Sequence, residues 1–108
     1  MANVAPYLAD APTREALSAQ AGVCVIDFGT NWCGHCQAAA PLTAAASAVV
    51  PTVRYLKVED GKGRPLGRSF RVTLWPTLIF LRDGQEVARL VRPTDPAAVM
   101  TAFVDLAR

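Results

Sequence analysis

Apolar residues recur along the chain with two periods, about 2 and about 3.6 residues, those of strand and helix. Val23-Cys24-Val25-Ile26-Asp27-Phe28 places Val23, Val25 and Asp27 on one side and Cys24, Ile26 and Phe28 on the other. Both sides are apolar except for Asp27, so the run predicts a central strand covered on both faces. Cys36 to Val50 is rich in alanine and predicts a helix. Pro41 inside it removes a hydrogen bond to Gln37 and is expected to kink it, and Pro51 stops it. Val53–Val58 predicts the next strand, parallel to the first and joined to it by a right-handed crossover. Thr77–Leu81 and Glu86–Val91 flank Asp83-Gly84, a hairpin signal. In the second of these, Val87, Arg89 and Val91 alternate against Ala88 and Leu90. Asp95-Pro96 opens a last helix, whose predicted apolar stripe is Val99, Met100, Phe103, Val104 and Ala107.

Weaker signals fill the rest. A short edge strand is expected around Val4 to Leu8, interrupted by Pro6. Asp10 or Thr13 can cap a helix running to about Gln20, with Gly22 as its stop. Asp60 to Pro65 is loop, and a short helix is expected over Leu66 to Phe70. The sum is an α/β protein with a central mixed β-sheet and helices on both faces, one domain over residues 1–108.

Composition narrows the function classes. Apolar residues make up 52% and charged residues 19%, which places the chain with globular proteins and not with disordered ones. A net charge of +2 is too small to argue for nucleic acid or an anionic membrane. Arg64, Arg68, Arg71, Arg82, Arg89 and Arg92 are dispersed and read as solvated surface. The N-terminus lacks the basic and apolar regions of a signal peptide. The longest apolar stretch, Ala38 to Val50, contains Pro41, Thr43 and Ser47 and is shorter than a membrane span of about 20 residues. A cytoplasmic location is therefore expected. The Gly-Lys-Gly of residues 61–63 lacks the spacing and the Ser/Thr of a phosphate-binding loop.

The candidate chemistry lies in Trp32-Cys33-Gly34-His35-Cys36, between the first strong strand and its helix. A helix start leaves N–H groups unpaired and favours an anion, so a thiol there loses its proton more easily. Two cysteines three residues apart stand one helical turn apart, about 5–6 Å between Cα atoms, within reach of a disulfide. Cys33 is placed to attack and Cys36 to resolve. The competing reading is a zinc site, which normally needs four ligands. Only Cys24, inside a strand, and His35, between the two thiols, remain as candidates, so zinc fits poorly. A close cysteine pair beside a strand–helix–strand pattern is a redox signature. Cys24 is expected to be an inert core residue.

Val25-Ile26-Asp27-Phe28, Trp32 to Cys36, Pro41, Phe70-Arg71-Val72, Trp75-Pro76-Thr77 and Asp83-Gly84 together resemble the thioredoxin family. The resemblance runs over nearly the whole chain from about Asp10. It implies a thioredoxin-like fold and a thiol–disulfide oxidoreductase, with Cys33 as nucleophile, Cys36 as resolving thiol and no cofactor or metal. It aligns Asp27 with the family's buried carboxylate, which would take the Cys36 proton directly or through a water. Burial within the apolar run would raise the pKa of Asp27, whereas a surface-reaching Asp at a strand end is the alternative. The resemblance makes Pro76 a cis-proline facing the cysteines and Trp32, Gly34, His35 and Trp75 its substrate-binding companions. Protein disulfides are the implied substrates, thioredoxin reductase or glutathione the implied electron donor, and a monomer the implied state.

The chain departs from the family pattern at several points. His35 stands where thioredoxins usually have proline and gives Cys-Gly-His-Cys, as in protein disulfide isomerases. Gly29 replaces the usual tryptophan, which is expected to open the floor of the site. Arg92 replaces a glycine near the substrate groove. The family's buried lysine has two imperfect counterparts, Tyr55 by position and Lys57 by type. Three functions compete: a disulfide reductase, an oxidase or isomerase favoured by His35, and a binding module using Trp32, Trp75 and Pro76 for docking.

Overall fold

The computed structural model describes residues 5–108. The chain runs through α1 (Arg14–Ser18), β1 (Val23–Gly29), α2 (Gly34–Val49), β2 (Arg54–Glu59), α3 (Pro65–Ser69), β3 (Thr77–Arg82), β4 (Gln85–Val91) and α4 (Pro96–Ala107). The strands form one mixed sheet in the order β2-β1-β3-β4. β1 pairs parallel with β2 and antiparallel with β3, and β3 pairs antiparallel with β4. β1 is thus central, as its two apolar faces require.

Those faces build two cores. Cys24, Ile26 and Phe28 pack with Leu17, Val58, Leu66, Phe70, Ile79 and Leu81. Val25 packs on the other side with Ala46 of α2 and Val99, Phe103 and Leu106 of α4. The α4 stripe therefore runs Val99, Phe103, Leu106, with Ala107 exposed. Predicting Ala107 overlooked that a helix on a sheet presents positions i, i+4 and i+7 before i+8.

Local chemistry explains the boundaries. Thr13, not Asp10, caps α1 by accepting from Ala16 N–H at 3.0 Å. α1 ends at Ser18, well before Gly22. Gly22 instead meets the hairpin: its N–H donates to Asp83 Oδ1 at 2.8 Å and its carbonyl accepts from Asp83 N–H at 2.8 Å. Asp83 (φ 51°) and Gly84 (φ 80°) both take the left-handed conformation a two-residue hairpin turn needs. Asp95 caps α4, with Pro96 in its first turn. α2 continues through Pro41, and α3 begins one residue earlier than expected, on Pro65. The expected N-terminal strand reduces to a single parallel bridge of Leu8 to Val58, and Val4 lies outside the described residues.

Several of the dispersed arginines do more than face solvent. Arg64 pairs with Glu59 at 2.9 Å, and Arg89 pairs with Glu86 while donating to the Phe70 carbonyl. Arg82 donates to the Leu106 carbonyl at the end of α4. Among the described residues no helix is long and apolar enough to cross a membrane.

Candidate active site

β1 delivers the chain to the edge of the core, and Thr30 to Cys33 turn it into α2. Cys33 is the N-cap of α2, with an extended backbone (φ −77°, ψ 123°), and its sulfur accepts from Cys36 N–H at 3.4 Å. A thiol thus occupies the place where Ser or Asp usually satisfies a helix's first amides. Both residues are free thiols and both are buried, Cys36 at 1% exposure and Cys33 at 8%. Burial pushes the Cys36 thiol up to about 11, as does its hydrogen bond with Cys33, while the Thr30 backbone and the Tyr7 hydroxyl pull it down. The pair is asymmetric: the rim sulfur caps a helix, and the deep sulfur is held protonated.

Asp27 lies beneath them, 2% exposed on the α2 side of β1, which disposes of the surface-reaching alternative. Two tyrosines hold its carboxylate. Tyr7 donates to Oδ1 at 2.7 Å, and Tyr55 donates to Oδ2 at 2.5 Å while standing 2.9 Å from Thr43 Oγ1. Burial raises the carboxyl above its ordinary range, and the tyrosine hydroxyls and the charge of Lys57 oppose that rise. Lys57 faces Asp27 in the β1–β2 register, but its ammonium donates to the Ala5 carbonyl at 2.7 Å. Of the two candidates, Tyr55 and not Lys57 therefore hydrogen-bonds the carboxylate.

The floor of the site is closed, contrary to the expectation from Gly29. The Tyr7 ring fills the space that a side chain on Gly29 would take. A Cβ built there would stand 2.7 Å from Tyr7 Cζ, 2.8 Å from its hydroxyl and 2.5 Å from Cys36 Sγ. Tyr7, at 6% exposure, clusters with Cys33 and Cys36, and Trp75 packs against the group. The segment carrying it is tied down. Tyr7 N–H donates to Asn31 Oδ1 at 2.7 Å, Leu8 N–H to the Lys57 carbonyl, and Glu59 N–H to the Leu8 carbonyl. The Lys57 ammonium stands 4.3 Å from the Tyr7 ring centroid. Reading the sequence missed Tyr7. The signal that pointed to it was Gly29 itself, since a buried site missing an aromatic must be filled from elsewhere.

The outer side is open. Trp32 is 75% exposed and meets Trp75 edge to face, with ring centroids 5.7 Å apart. Gly34 and His35 are exposed in the first turn of α2. The Trp75–Pro76 bond is cis and Pro76 is buried. Trp75 Nε1 donates to Asp60 Oδ2 at 2.8 Å, which fixes the indole against the loop after β2. Arg92, in the left-handed region at φ 48°, donates its N–H to the Pro76 carbonyl and its Nε to the Trp75 carbonyl, both at 2.8 Å. Asp60 and Arg92 thus brace the Trp75-Pro76 loop, and neither was assigned from sequence.

Cys24 belongs to the opposite core, where burial pushes its thiol up. Among the described residues no three His, Cys, Asp or Glu side chains gather as a metal site would require.

The thioredoxin family model matches residues 5–105. The structure of thioredoxin 2 from Pseudomonas aeruginosa PAO1 in its reduced form is 55% identical, with a TM-score of 0.87 and 95% of each chain covered. Thioredoxin of Chlamydia trachomatis is 41% identical over 75 residues, 68% of this chain and 72% of that one. Thioredoxin H-type 1 of Nicotiana tabacum is 37% identical over 67 residues, where this chain spans 53% of the relative's length. The chain belongs to the thioredoxin family. Members of that family are thiol–disulfide oxidoreductases, working through a dithiol of the kind Cys33 and Cys36 form.

Proposed function

We propose that this protein is a disulfide reductase for protein substrates, acting through Cys33 and Cys36. The observation that carries the reading is the pair of free thiols at the start of α2, with Cys33 capping the helix and Cys36 buried beside the Asp27 network. The Cys33 thiolate attacks one sulfur of a substrate disulfide, the S–S bond breaks, and the other sulfur leaves as thiolate. The Cys36 thiolate then attacks Cys33 Sγ of the mixed disulfide and releases the second substrate sulfur. The substrate gains two electrons and the protein is left as its Cys33–Cys36 disulfide. Asp27 takes the Cys36 proton, a role for which a raised pKa suits a buried carboxylate. Trp32, Gly34, His35, Trp75 and Pro76 form the docking rim, an exposed aromatic edge beside the rim thiol. The dithiol is itself the redox group, so no cofactor or metal is needed. The reading includes a single domain acting as a monomer in the cytoplasm, recycled by thioredoxin reductase or glutathione.

His35 favours a second reading, disulfide oxidation or isomerisation, because an imidazole there stabilises thiolate over disulfide when it is protonated. Insulin reduction with a dithiol donor tests the first. The parent is expected to turn over and Cys33→Ser to lose turnover entirely. Brief iodoacetamide treatment of the reduced protein should label Cys33 before Cys36 or Cys24. Turnover in the serine variant would remove Cys33 from the mechanism.

A further inference from the structure

Between the thiol that must lose a proton and the carboxylate that takes it stands a third group. The Tyr7 hydroxyl is 2.7 Å from Asp27 Oδ1. It shares one buried cluster with Cys36, the Tyr7 oxygen and Cys36 Sγ lying 2.8 and 2.5 Å from the position that a Cβ on Gly29 would take. A phenol hydroxyl can donate one hydrogen bond and accept another at once. Tyr55 does not share this position: it holds the other carboxylate oxygen and lies against Thr43.

We propose that the Tyr7 hydroxyl carries the proton from the Cys36 thiol to the Asp27 carboxylate during resolution of the mixed disulfide. In one step the Cys36 S–H passes its proton to Tyr7 oxygen while Tyr7 O–H passes its own to Asp27 Oδ1. The products are a Cys36 thiolate, an unchanged neutral tyrosine and a protonated Asp27. On reduction of the Cys33–Cys36 disulfide the same path runs backward. Burial and the neighbouring carboxylate push the Tyr7 phenol far above its ordinary pKa, so it relays without ionising. The charged and titratable groups facing the relay are Asp27 from β1, Tyr55 and Lys57 from β2 and Cys33 at the N-cap of α2. A cleft lined by Ala5, Tyr7, Thr30, Cys36, Gln37 and Lys57 lies on the solvent side of Tyr7 and Cys36, and Asp27 is not among its lining residues.

The proposal rests on the reductase reading, and one experiment separates the two. Reduced protein mixed with Ellman's reagent releases one coloured thiolate when Cys33 attacks and a second when Cys36 resolves. Tyr7→Phe keeps the ring that fills the floor and removes only the hydroxyl. It is expected to slow the second release about tenfold or more, move the pH profile of that phase upward, and leave the first release within about twofold. A parent that releases only one equivalent overturns the reductase reading and this inference with it. A parent that releases two, with Tyr7→Phe matching it in the second phase or slowed equally in both, overturns the relay alone. Should Tyr7→Phe fail to fold, the second-phase rate of the parent is measured against the deuterium content of the solvent. A bowed dependence, two protons in flight, supports the relay, and a linear one overturns it.

Discussion

The two sides of the dithiol are built on opposite plans. The inner side is buried and polar: Cys36, Asp27, Tyr7 and Tyr55 form one connected network, each group touching the next. The outer side is exposed and aromatic, with Trp32 and Trp75 edge to face and His35 in solvent. A polar network in a low-dielectric interior strengthens its own contacts, and an error in it is costly. Contacts at an exposed rim are screened and can be exchanged. The chemistry of proton transfer thus depends on the inner side, whereas recognition and redox tuning belong to the outer one. Substitutions inside should have large effects and those outside small ones.

Asp27→Asn should give the largest effect. Exchange is expected to slow on the order of 100-fold, because the proton acceptor is gone. Stability should move the other way. The carboxyl pKa is raised in the fold by burial, so the folded state binds more protons than the unfolded chain between the two pKa values. Stability of the parent therefore falls as pH rises from about 4, the unfolded value, through the folded pKa, and the penalty is complete above it. The asparagine variant carries no such penalty and should be the more stable protein at pH 8, with an advantage that vanishes toward pH 4. Urea denaturation across that range with parallel turnover assays checks both halves. Equal stability at pH 8 would show that the two tyrosines and Lys57 fully offset the burial of the charge.

Gly29→Ala comes next and tests whether the inner side is as tightly filled as its geometry indicates. The added Cβ meets Cys36 Sγ at 2.5 Å and the Tyr7 ring at 2.7 Å, so either the thiol or the strapped tyrosine must move. Overpacking of this kind costs about 1–3 kcal/mol, readable as a lower urea midpoint with unchanged slope. A variant as stable as the parent would mean that the N-terminal segment yields freely, which would loosen the contrast between the two sides.

What was legible in the sequence follows the same division between local and distant contacts. Cys33 and Cys36 were readable because their relation is internal to one helical turn, and Asp27 because strand alternation placed it in an apolar run. The central place of β1 was readable because it is apolar on both faces, and the β3–β4 hairpin because Asp83-Gly84 favours a tight turn; the pairing of β1 with β3 was not read. Tyr7 was not, since it reaches Asp27 across 20 residues from a segment with one bridge and a proline beside it. Arg92 was read as a departure, standing in place of a glycine near the substrate groove. Its left-handed backbone instead aims both donors at the Trp75-Pro76 carbonyls, a geometry that no periodicity reveals. Gly22 was read as a helix stop, when its partner is a hairpin turn 61 residues away.

His35→Pro should give the smallest effect and probes the outer side alone. The residue lies in the first turn of α2, where proline is tolerated because its missing N–H has no partner within the helix. The fold should therefore survive the change. A protonated imidazole beside the pair favours thiolate over disulfide sulfur, so its loss should make the protein more reducing. Exposure limits the size of that change, because water and salt screen the interaction. A screened charge pair amounts to a shift of about 20 mV or less, against about 30 mV for a full 1.4 kcal/mol. Equilibration of both proteins with a glutathione redox buffer reads the two potentials directly. A lower potential in the proline variant would tie redox tuning to the rim. An equal or higher one would leave His35 without a part in it, and any isomerase-like character would then have to arise from the buried network.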